Sequence, residues 1–334
     1  MKAAVVRLPT SLESLSIEEQ AEPAITAGKL KVRWRALSLN FHDYAVAAGM
    51  LPTADGRIPI SDGAGEIVAV GEGVNGWAVG DQVMSLFFPD WQDGEPTAAT
   101  TSRLGGDSTD GCAVEFSLVD PDKLTRIPKG YSFAEAATLP CAALTAWRAL
   151  VEVGQIKAGD QVLVEGTGGV SIFALQFAKS FGAKVYATSS SPAKLERLKK
   201  LGADATIDYR ADPNWGEAIS QLSGGGVDHV IDVGGAATLD QSISAVKVGG
   251  SLIIIGILGG LVAEINLAKL MMKQQQIRPI AVGSRAMQLR MVEAIEKSGM
   301  KPIIDARFPL GKLADAFRYQ LSGQHFGKIV IDID

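Results

Sequence analysis

Gln161-Val162-Leu163-Val164-Glu165, followed by Gly166-Thr167-Gly168-Gly169-Val170-Ser171, is the stretch that decides how the chain folds. The first five residues read as a buried strand, and Val170 to Phe181 read as an amphipathic helix. A glycine at a strand end permits the tight turn, and a second lets backbone come close to a pyrophosphate. The helix start contributes free N–H groups and the positive end of its dipole. Ser171 stands where a third glycine is usual; serine is compact enough for the helix to pack closely on the strand. Gly166, Thr167, Gly168, Gly169 and Val170 are therefore the first candidate cofactor-binding residues.

Downstream of this loop, strands and helices alternate. Lys184 to Ala187, Ala205 to Ile207, Val230 to Val233 and Ser251 to Ile255 read as strands. Pro192 to Leu201, Trp215 to Leu222 and Leu239 to Val246 read as the helices between them. Such alternation specifies a doubly wound parallel sheet covered by helices on both faces. Upstream, Lys29 to Ala36, Gly65 to Val70, Gln82 to Phe87 and Ala113 to Val119 are short strands punctuated by glycine and proline, as in a partly open β-barrel. Phe88 to Gly111 reads as a surface excursion, and a helical stretch runs from Phe133 through Leu150. Gln288 to Ser298 and Leu313 to Ser322 read as helices and Lys328 to Ile331 as a strand that returns to the first lobe. A length of 334 residues suits two domains with a cleft between them.

The end of the second strand of the alternating half is where an acidic side chain normally reads a free ribose 2′-hydroxyl. Here that place holds Thr188-Ser189-Ser190-Ser191, with Lys194 and Arg197 on the next helix turn and Tyr209-Arg210 closing the following strand. Hydroxyls and cations suit a 2′-phosphate, so NADPH is favoured over NADH, with Ser189, Ser190, Lys194 and Tyr209 as its readers. The competing reading makes Lys194 and Arg197 a solvated helix face.

Composition narrows the partners. A chain that is 47% hydrophobic and 21% charged, with 37 glycines spread along it, is globular. A net charge of -5 and the lack of any Lys/Arg-rich run argue against nucleic acid or an anionic membrane. The longest apolar run, Ser251 to Leu261, is too short and glycine-rich to cross a bilayer. The first residues lack the pattern of a secretory signal, and two distant cysteines, Cys112 and Cys141, suit a reducing compartment. A cytoplasmic protein is expected.

Several further motifs extend the reading to nearly the whole chain. They are Ser38-Leu39-Asn40-Phe41-His42-Asp43, Asp62-Gly63-Ala64-Gly65-Glu66, Val70-Gly71-Glu72-Gly73-Val74, Val79-Gly80-Asp81-Gln82-Val83, Leu139 to Trp147, and His325-Phe326-Gly327-Lys328. With the glycine loop, they resemble the medium-chain dehydrogenase/reductase superfamily. The resemblance implies a GroES-like catalytic domain from residues 1–142 and 283–334, with a Rossmann domain at 143–282. The zinc enzymes of that superfamily have a cysteine ligand where this chain has Asn40 and a histidine ligand where it has Ser61. Cys141 matches their third ligand, and Asp62 occupies the neighbouring acidic position. No cysteine lies between Phe88 and Gly111 to build a structural zinc lobe. A metal-free site is expected; a set made of His42, Cys141 and Asp62 is the alternative. Leu39-Asn40-x-x-Asp43 is similar to the quinone oxidoreductase and enoyl reductase branches. Asp62 to Glu66, Phe87-Phe88-Pro89 with Trp91, and Val282-Gly283-Ser284-Arg285 look like markers of proteins labelled zinc-type alcohol dehydrogenase-like.

By this resemblance Asn40 and Thr145 flank the nicotinamide and donate to a carbonyl oxygen as charge develops. His42 is either a proton relay or a satisfied histidine on a barrel strand. Asp43 is either an acid or an orienting, capping group. Gly256 and Phe326 are placed beside the cofactor, Lys328 is placed to pair with a phosphate, and Arg285 faces either the cofactor cleft or a subunit contact. His229 is taken as structural. The expected activity is metal-free hydride transfer to a quinone or α,β-unsaturated carbonyl. An alcohol dehydrogenase or aldehyde reductase, or a non-catalytic NADPH-binding protein, are the alternatives. The apolar runs Ser251 to Ile255 and Ile277 to Val282 lie at the end of the Rossmann sheet, where a homodimer is expected to cover the edge.

Overall fold

A computed structural model describes residues 1–333 of the chain. Contacts divide it into two units, Met1–Leu144 with Val282–Asp334, and Thr145–Ala281. The first unit opens with β1 (Lys2–Val6), β2 (Leu15–Glu19), β3 (Leu30–Ser38), helix α1 (Phe41–Ala47) and β4 (Asp62–Val70). It continues through β5 (Gln82–Ser85), β6 (Phe116–Val119), β7 (Leu124–Arg126) and the short α2 (Phe133–Ala136). After α3 (Leu144–Trp147), the second unit alternates β8 (Gln161–Glu165), α4 (Gly169–Ser180), β9 (Lys184–Ser189), α5 (Pro192–Lys200), β10 (Ala205–Asp208) and α6 (Trp215–Leu222). It ends with β11 (Val227–Asp232), α7 (Leu239–Ala245), β12 (Val246–Ile254), α8 (Leu267–Lys273) and β13 (Gln276–Pro279). The chain then returns to the first unit with α9 (Arg285–Ser298), β14 (Ile304–Pro309), α10 (Leu313–Leu321) and β15 (Lys328–Asp332).

In the first unit a seven-stranded sheet runs β14-β15-β3-β4-β5-β7, with β6 also paired to β3. Leu30, Val32, Trp34 and Ala36 of β3 are buried and alternate with half-buried Lys31, Arg33 and Arg35, the period-two signature of a strand with one face on a core. Leu30, Val32, Trp34 and Leu37 pack there with Ile67, Val83, Leu124 and Phe317. A Cβ at Gly65 would lie 2.1 Å from the Arg33 carbonyl oxygen, so only glycine lets β4 pass β3 where their register shifts. The C-terminal strand β15 pairs antiparallel with β3, Val330 opposite Ser38, and so joins the two ends of the chain in one sheet.

The second unit is a six-stranded sheet in the order β10-β9-β8-β11-β12-β13, with every pair parallel. Numbered from β8, this is the 3-2-1-4-5-6 order of a dinucleotide-binding fold. The central strands carry buried runs such as Val162-Leu163-Val164 and Val230-Ile231, as strands covered on both faces do. Two readings are revised. The stretch from Phe133 through Leu150 is not one helix but short α-helical turns interrupted by π-helical turns at Leu139–Ala143 and Arg148–Val153. Pro140 lies in the first π-turn, where its missing N–H breaks the regular ladder. The strand expected over Ile277 to Val282 is Gln276–Pro279, stopping at a proline on the sheet edge beside β12. No helix among the described residues is long and apolar enough to cross a membrane.

Candidate active site

The residues of the expected catalytic pocket in the first unit converge where β3 ends and β4 begins. Asn40 caps the start of α1, and its backbone N–H donates to Asp43 Oδ2 at 2.9 Å. Asp43 Oδ1 accepts from the Ser61 N–H at 2.8 Å, so one buried carboxylate ties the α1 start to the β4 start. Asp43 is thus an orienting and capping group. Ile60, just before Ser61, is fully buried with φ 74°, a strained conformation for a β-branched residue. Its carbonyl accepts from the Cys112 N–H at 2.8 Å, which helps hold it there.

Side chains complete the cluster. Asn40 Nδ2 donates to Ser61 Oγ at 3.2 Å, and Ser61 Oγ donates to Asp62 Oδ1 at 3.3 Å. Asp62 Oδ2 accepts from the Cys141 N–H at 3.1 Å. Lys328 Nζ donates to the Leu39 carbonyl and to Asn40 Oδ1, both at 2.6 Å. Burial pushes the Asp62 carboxyl up to about 7, against the opposing pull of the Lys328 ammonium, while Asp43 adds to the rise. Asn40 is 8% exposed while Lys328, Ser61 and Asp62 are 3% or less, so Asn40 is the member of this set that reaches the surface.

Lys328, expected to pair with a phosphate, has its ammonium buried in the first unit and held by two internal acceptors. Arg285 Nε donates to the Leu124 carbonyl at 3.2 Å at the start of α9, a contact within the first unit. His42 lies on α1, not on a strand; its ring meets Phe87 edge-on, and Nε2 is 3.6 Å from Asp107 Oδ2. Thr145 and Phe326 are buried. His229 is buried, with Nε2 3.2 Å from Asp160 Oδ2. Asn40 and Ser61, where the resemblance puts two zinc ligands, do meet, but as an amide and a hydroxyl, with an ammonium already on the amide oxygen. Among the described residues no group of three or more His, Cys, Asp and Glu side chains is placed to hold a metal, the set His42, Cys141 and Asp62 included.

In the second unit, Gly166 has φ 70° at the turn out of β8, and Gly168 caps α4. A Cβ on either would meet no protein atom within 4 Å, so the loop borders open space. Open space over the N-terminus of a twelve-residue helix fits a pyrophosphate. Ser171 Oγ donates to the Glu165 carbonyl at 2.6 Å, so the serine in the third glycine position ties helix to strand. Gly256 is glycine for another reason: its Cβ would lie 2.4 Å from the Val233 carbonyl oxygen. At the β9 end, Tyr209 Oη donates to Ser190 Oγ at 3.1 Å, and Ser191 Oγ accepts from the Lys194 N–H at 3.4 Å to cap α5. Ser189 Oγ accepts from the Ser191 N–H. Asp208, beside Ser189 in the sheet, accepts from the Arg210 and Ala211 N–H groups through its carboxylate.

Sequence reasoning missed one feature of this unit. Glu165, the last residue of β8, is buried with Asp232 at the end of β11, and Ser242 Oγ lies between them, 2.5 Å from Glu165 Oε1 and 2.8 Å from Asp232 Oδ2. Burial, then the neighbouring Asp232 charge, pushes Glu165 up to about 8. The visible signal was a carboxylate closing an apolar strand just before the glycine loop.

The first unit matches the alcohol dehydrogenase GroES-like domain over residues 26–129, and residues 169–297 match the zinc-binding dehydrogenase family. A zinc-type alcohol dehydrogenase-like protein of Schizosaccharomyces pombe is 43% identical over 97% of both chains. A crystal structure assigned as an alcohol dehydrogenase of Sinorhizobium meliloti 1021 superposes with a TM-score of 0.93 at 37% identity, covering 99% of this chain and 98% of that one. An NAD-dependent alcohol dehydrogenase (TM-score 0.92, 31% identity) and a mycobacterial protein complexed with NADPH (TM-score 0.83, 25% identity) each match over the full length of both chains. The chain belongs to the medium-chain dehydrogenase/reductase superfamily, among its alcohol dehydrogenase-like oxidoreductases.

Proposed function

We propose that the chain is an NADPH-dependent reductase of quinones or α,β-unsaturated carbonyls that works without a catalytic zinc. The observation that carries this reading is the Asn40 carboxamide, which stands at a metal-ligand position with its oxygen on the Lys328 ammonium and its nitrogen on Ser61. A neutral oxygen already occupied by a cation is a poor ligand for a second one. An unactivated alcohol must lose its proton and have its oxygen stabilised before hydride leaves, a task for a Lewis acid. A quinone or enone spreads incoming charge onto its own oxygen, so a neutral donor suffices.

The bound dinucleotide supplies the hydride. The backbone N–H groups of Gly168, Gly169 and Val170 would hold its pyrophosphate, and Ser190, Tyr209 and Lys194 would hold the 2′-phosphate. Asn40 donates a hydrogen bond from its second Nδ2 hydrogen to the substrate oxygen, the Thr145 hydroxyl is the second donor, and a proton from solvent completes the reduced product. His42, turned toward Asp107, is left outside this scheme. Reduction of a simple aldehyde is the second reading, favoured by the alcohol dehydrogenase relatives.

NADPH oxidation over a panel of quinones, enones, aldehydes and alcohols tests the assignment. Asn40→Ala is expected to lower turnover roughly 100-fold, the cost of one transition-state donor, with little change in NADPH affinity. Oxidation of simple alcohols by zinc-free protein with no quinone or enone reduction would defeat the reading. We further propose a homodimer across β13, because Leu258, Leu261, Val262, Leu267, Met271 and Met272 form exposed apolar surface between β12 and β13. A monomer by light scattering at micromolar concentration would count against it.

A further inference from the structure

The two internal acceptors of Lys328 pose a question of their own. An ammonium taken out of water costs several kcal/mol unless its partners compensate, and fully buried lysines are rare. Here it is 3% exposed, and neither of its hydrogen-bond acceptors is charged: the Leu39 carbonyl and Asn40 Oδ1. Its influence on Asp62 shows a carboxyl group near enough to feel the charge, yet no salt bridge forms between them. An apolar side chain of similar length would pack this corner without that cost. What the ammonium supplies, and a methyl group does not, is donors without any acceptor.

That property decides how the Asn40 amide is turned. Oδ1 and Nδ2 have nearly the same shape, and an unconstrained carboxamide can present either. A donor-only partner 2.6 Å away forces the oxygen inward. Ser61 Oγ can then accept from Nδ2 while passing its own hydrogen to Asp62. Every donor in the chain Lys328, Asn40, Ser61, Asp62 points the same way. A cation on the amide oxygen also draws electron density from nitrogen and strengthens its N–H groups as donors. Lys328 is itself held in place, since β15 pairs with β3 and the Lys328 N–H donates to the Ile303 carbonyl at 2.9 Å.

We propose that Lys328 is a positioning residue: its buried ammonium fixes the flip of the Asn40 carboxamide and polarises it, so that Nδ2 meets the substrate oxygen as a donor. This rests on the reductase reading of Asn40 given above. Lys328 acts through Asn40 and touches neither the cofactor nor the substrate.

The test uses the full-length protein, NADPH and a 1,4-benzoquinone. Lys328→Met is expected to lower kcat roughly 100-fold, the scale set by a misplaced catalytic donor, with the NADPH Kd unchanged within about twofold. With 4-deuterated NADPH the isotope effect on kcat should rise in this variant, because hydride transfer becomes slower than release. Lys328→Arg, still a donor-only cation, should restore most of the rate. In the Asn40→Ala background, Lys328→Met should cost nothing further. Should Lys328→Met not fold, Lys328→Gln replaces it, since a second amide can present either of its ends to Asn40 and is expected to lose rate likewise. A loss of NADPH affinity at constant kcat would return Lys328 to the phosphate and overturn the inference. Equal losses with and without Asn40 would also overturn it. If Asn40→Ala alone leaves turnover unchanged, the reductase reading of Asn40 has failed, and the inference falls with it.

Discussion

Glu165→Gln should make the stability of the second unit less sensitive to alkali. Ser242 has one hydroxyl hydrogen but lies within hydrogen-bond distance of both Glu165 and Asp232. It can donate to only one, so the other contact needs a proton on a carboxyl group. Asp232 Oδ1 also accepts from the Gly235 N–H and the Thr238 hydroxyl, whereas Glu165 Oε2 has no partner. The proton therefore belongs on Glu165. Glu165 is raised from 4.5 to about 8 in the folded chain. A carboxyl group raised in this way stabilises most below its unfolded value and loses that stabilisation as pH climbs toward the folded value. Between pH 5.5 and 7.5 the loss is about 1.4 kcal/mol per pH unit, or roughly 3 kcal/mol. At roughly 3 °C per kcal/mol for a domain of this size, Tm should drop by roughly 8 °C from this group alone. Glutamine reproduces the protonated form, with Nε2 donating to Ser242, and carries no titrating proton. Calorimetry of both proteins at pH 5.5, 6.5 and 7.5 and constant ionic strength reads the difference. Parallel Tm-against-pH lines for the two proteins would refute the assigned proton.

Four further outcomes are expected. The pH profile of kcat should fall as pH rises through about 7, because ionised Asp62 competes for the Lys328 ammonium and the Asn40 amide, and Asp62→Asn should remove that inflection. Lys194→Ala should weaken NADPH by roughly 10-fold or more, the worth of a charge-assisted hydrogen bond, while leaving NADH binding as it was. Ser190→Asp should reverse the preference by facing the 2′-phosphate with a carboxylate, and equal losses for both cofactors would refute the 2′-phosphate assignment. Purified protein should hold no stoichiometric zinc, and elemental analysis finding one tightly bound ion per chain, with activity lost on chelation, would contradict the metal-free reading.

What the sequence makes legible is local. The strand, glycine loop and helix from Gln161 to Phe181 state their structure in about twenty consecutive residues, and the alternation after them follows from hydrophobic period. Trp215–Leu222 and Gln161–Glu165 have the expected limits. Of helix α1 only the capping role of Asp43 was legible, and His42 beside it read as a strand residue, since Phe41–Ala47 is short and its cap depends on Asp43 reaching both Asn40 and Ser61. The partner of Lys328 was out of reach for a plainer reason: 288 residues separate it from Asn40, and nothing local marks a lysine after a glycine as buried. The ends of the Glu165, Ser242 and Asp232 contacts are likewise scattered over two strands and a helix. Motifs locate backbone that meets a ligand; hydrogen-bond partners across a sheet are decided by topology.

The pairing of β15 with β3 also sets an order of events during synthesis. Residues Thr145–Ala281 form a contiguous unit whose six strands are all present once β13 has been made. The first unit begins earlier in the chain yet cannot close, because the Ala36–Ser38 end of β3 lacks β15 and Asn40 lacks its cation until residue 328 is translated. The later-encoded Rossmann unit is thus free to finish folding first, while the Ala36–Ser38 end of the nascent β3 waits unpaired on the side that β15 will cover. A nascent chain stalled before Lys328 should accordingly bind a dinucleotide while its catalytic half stays open to protease.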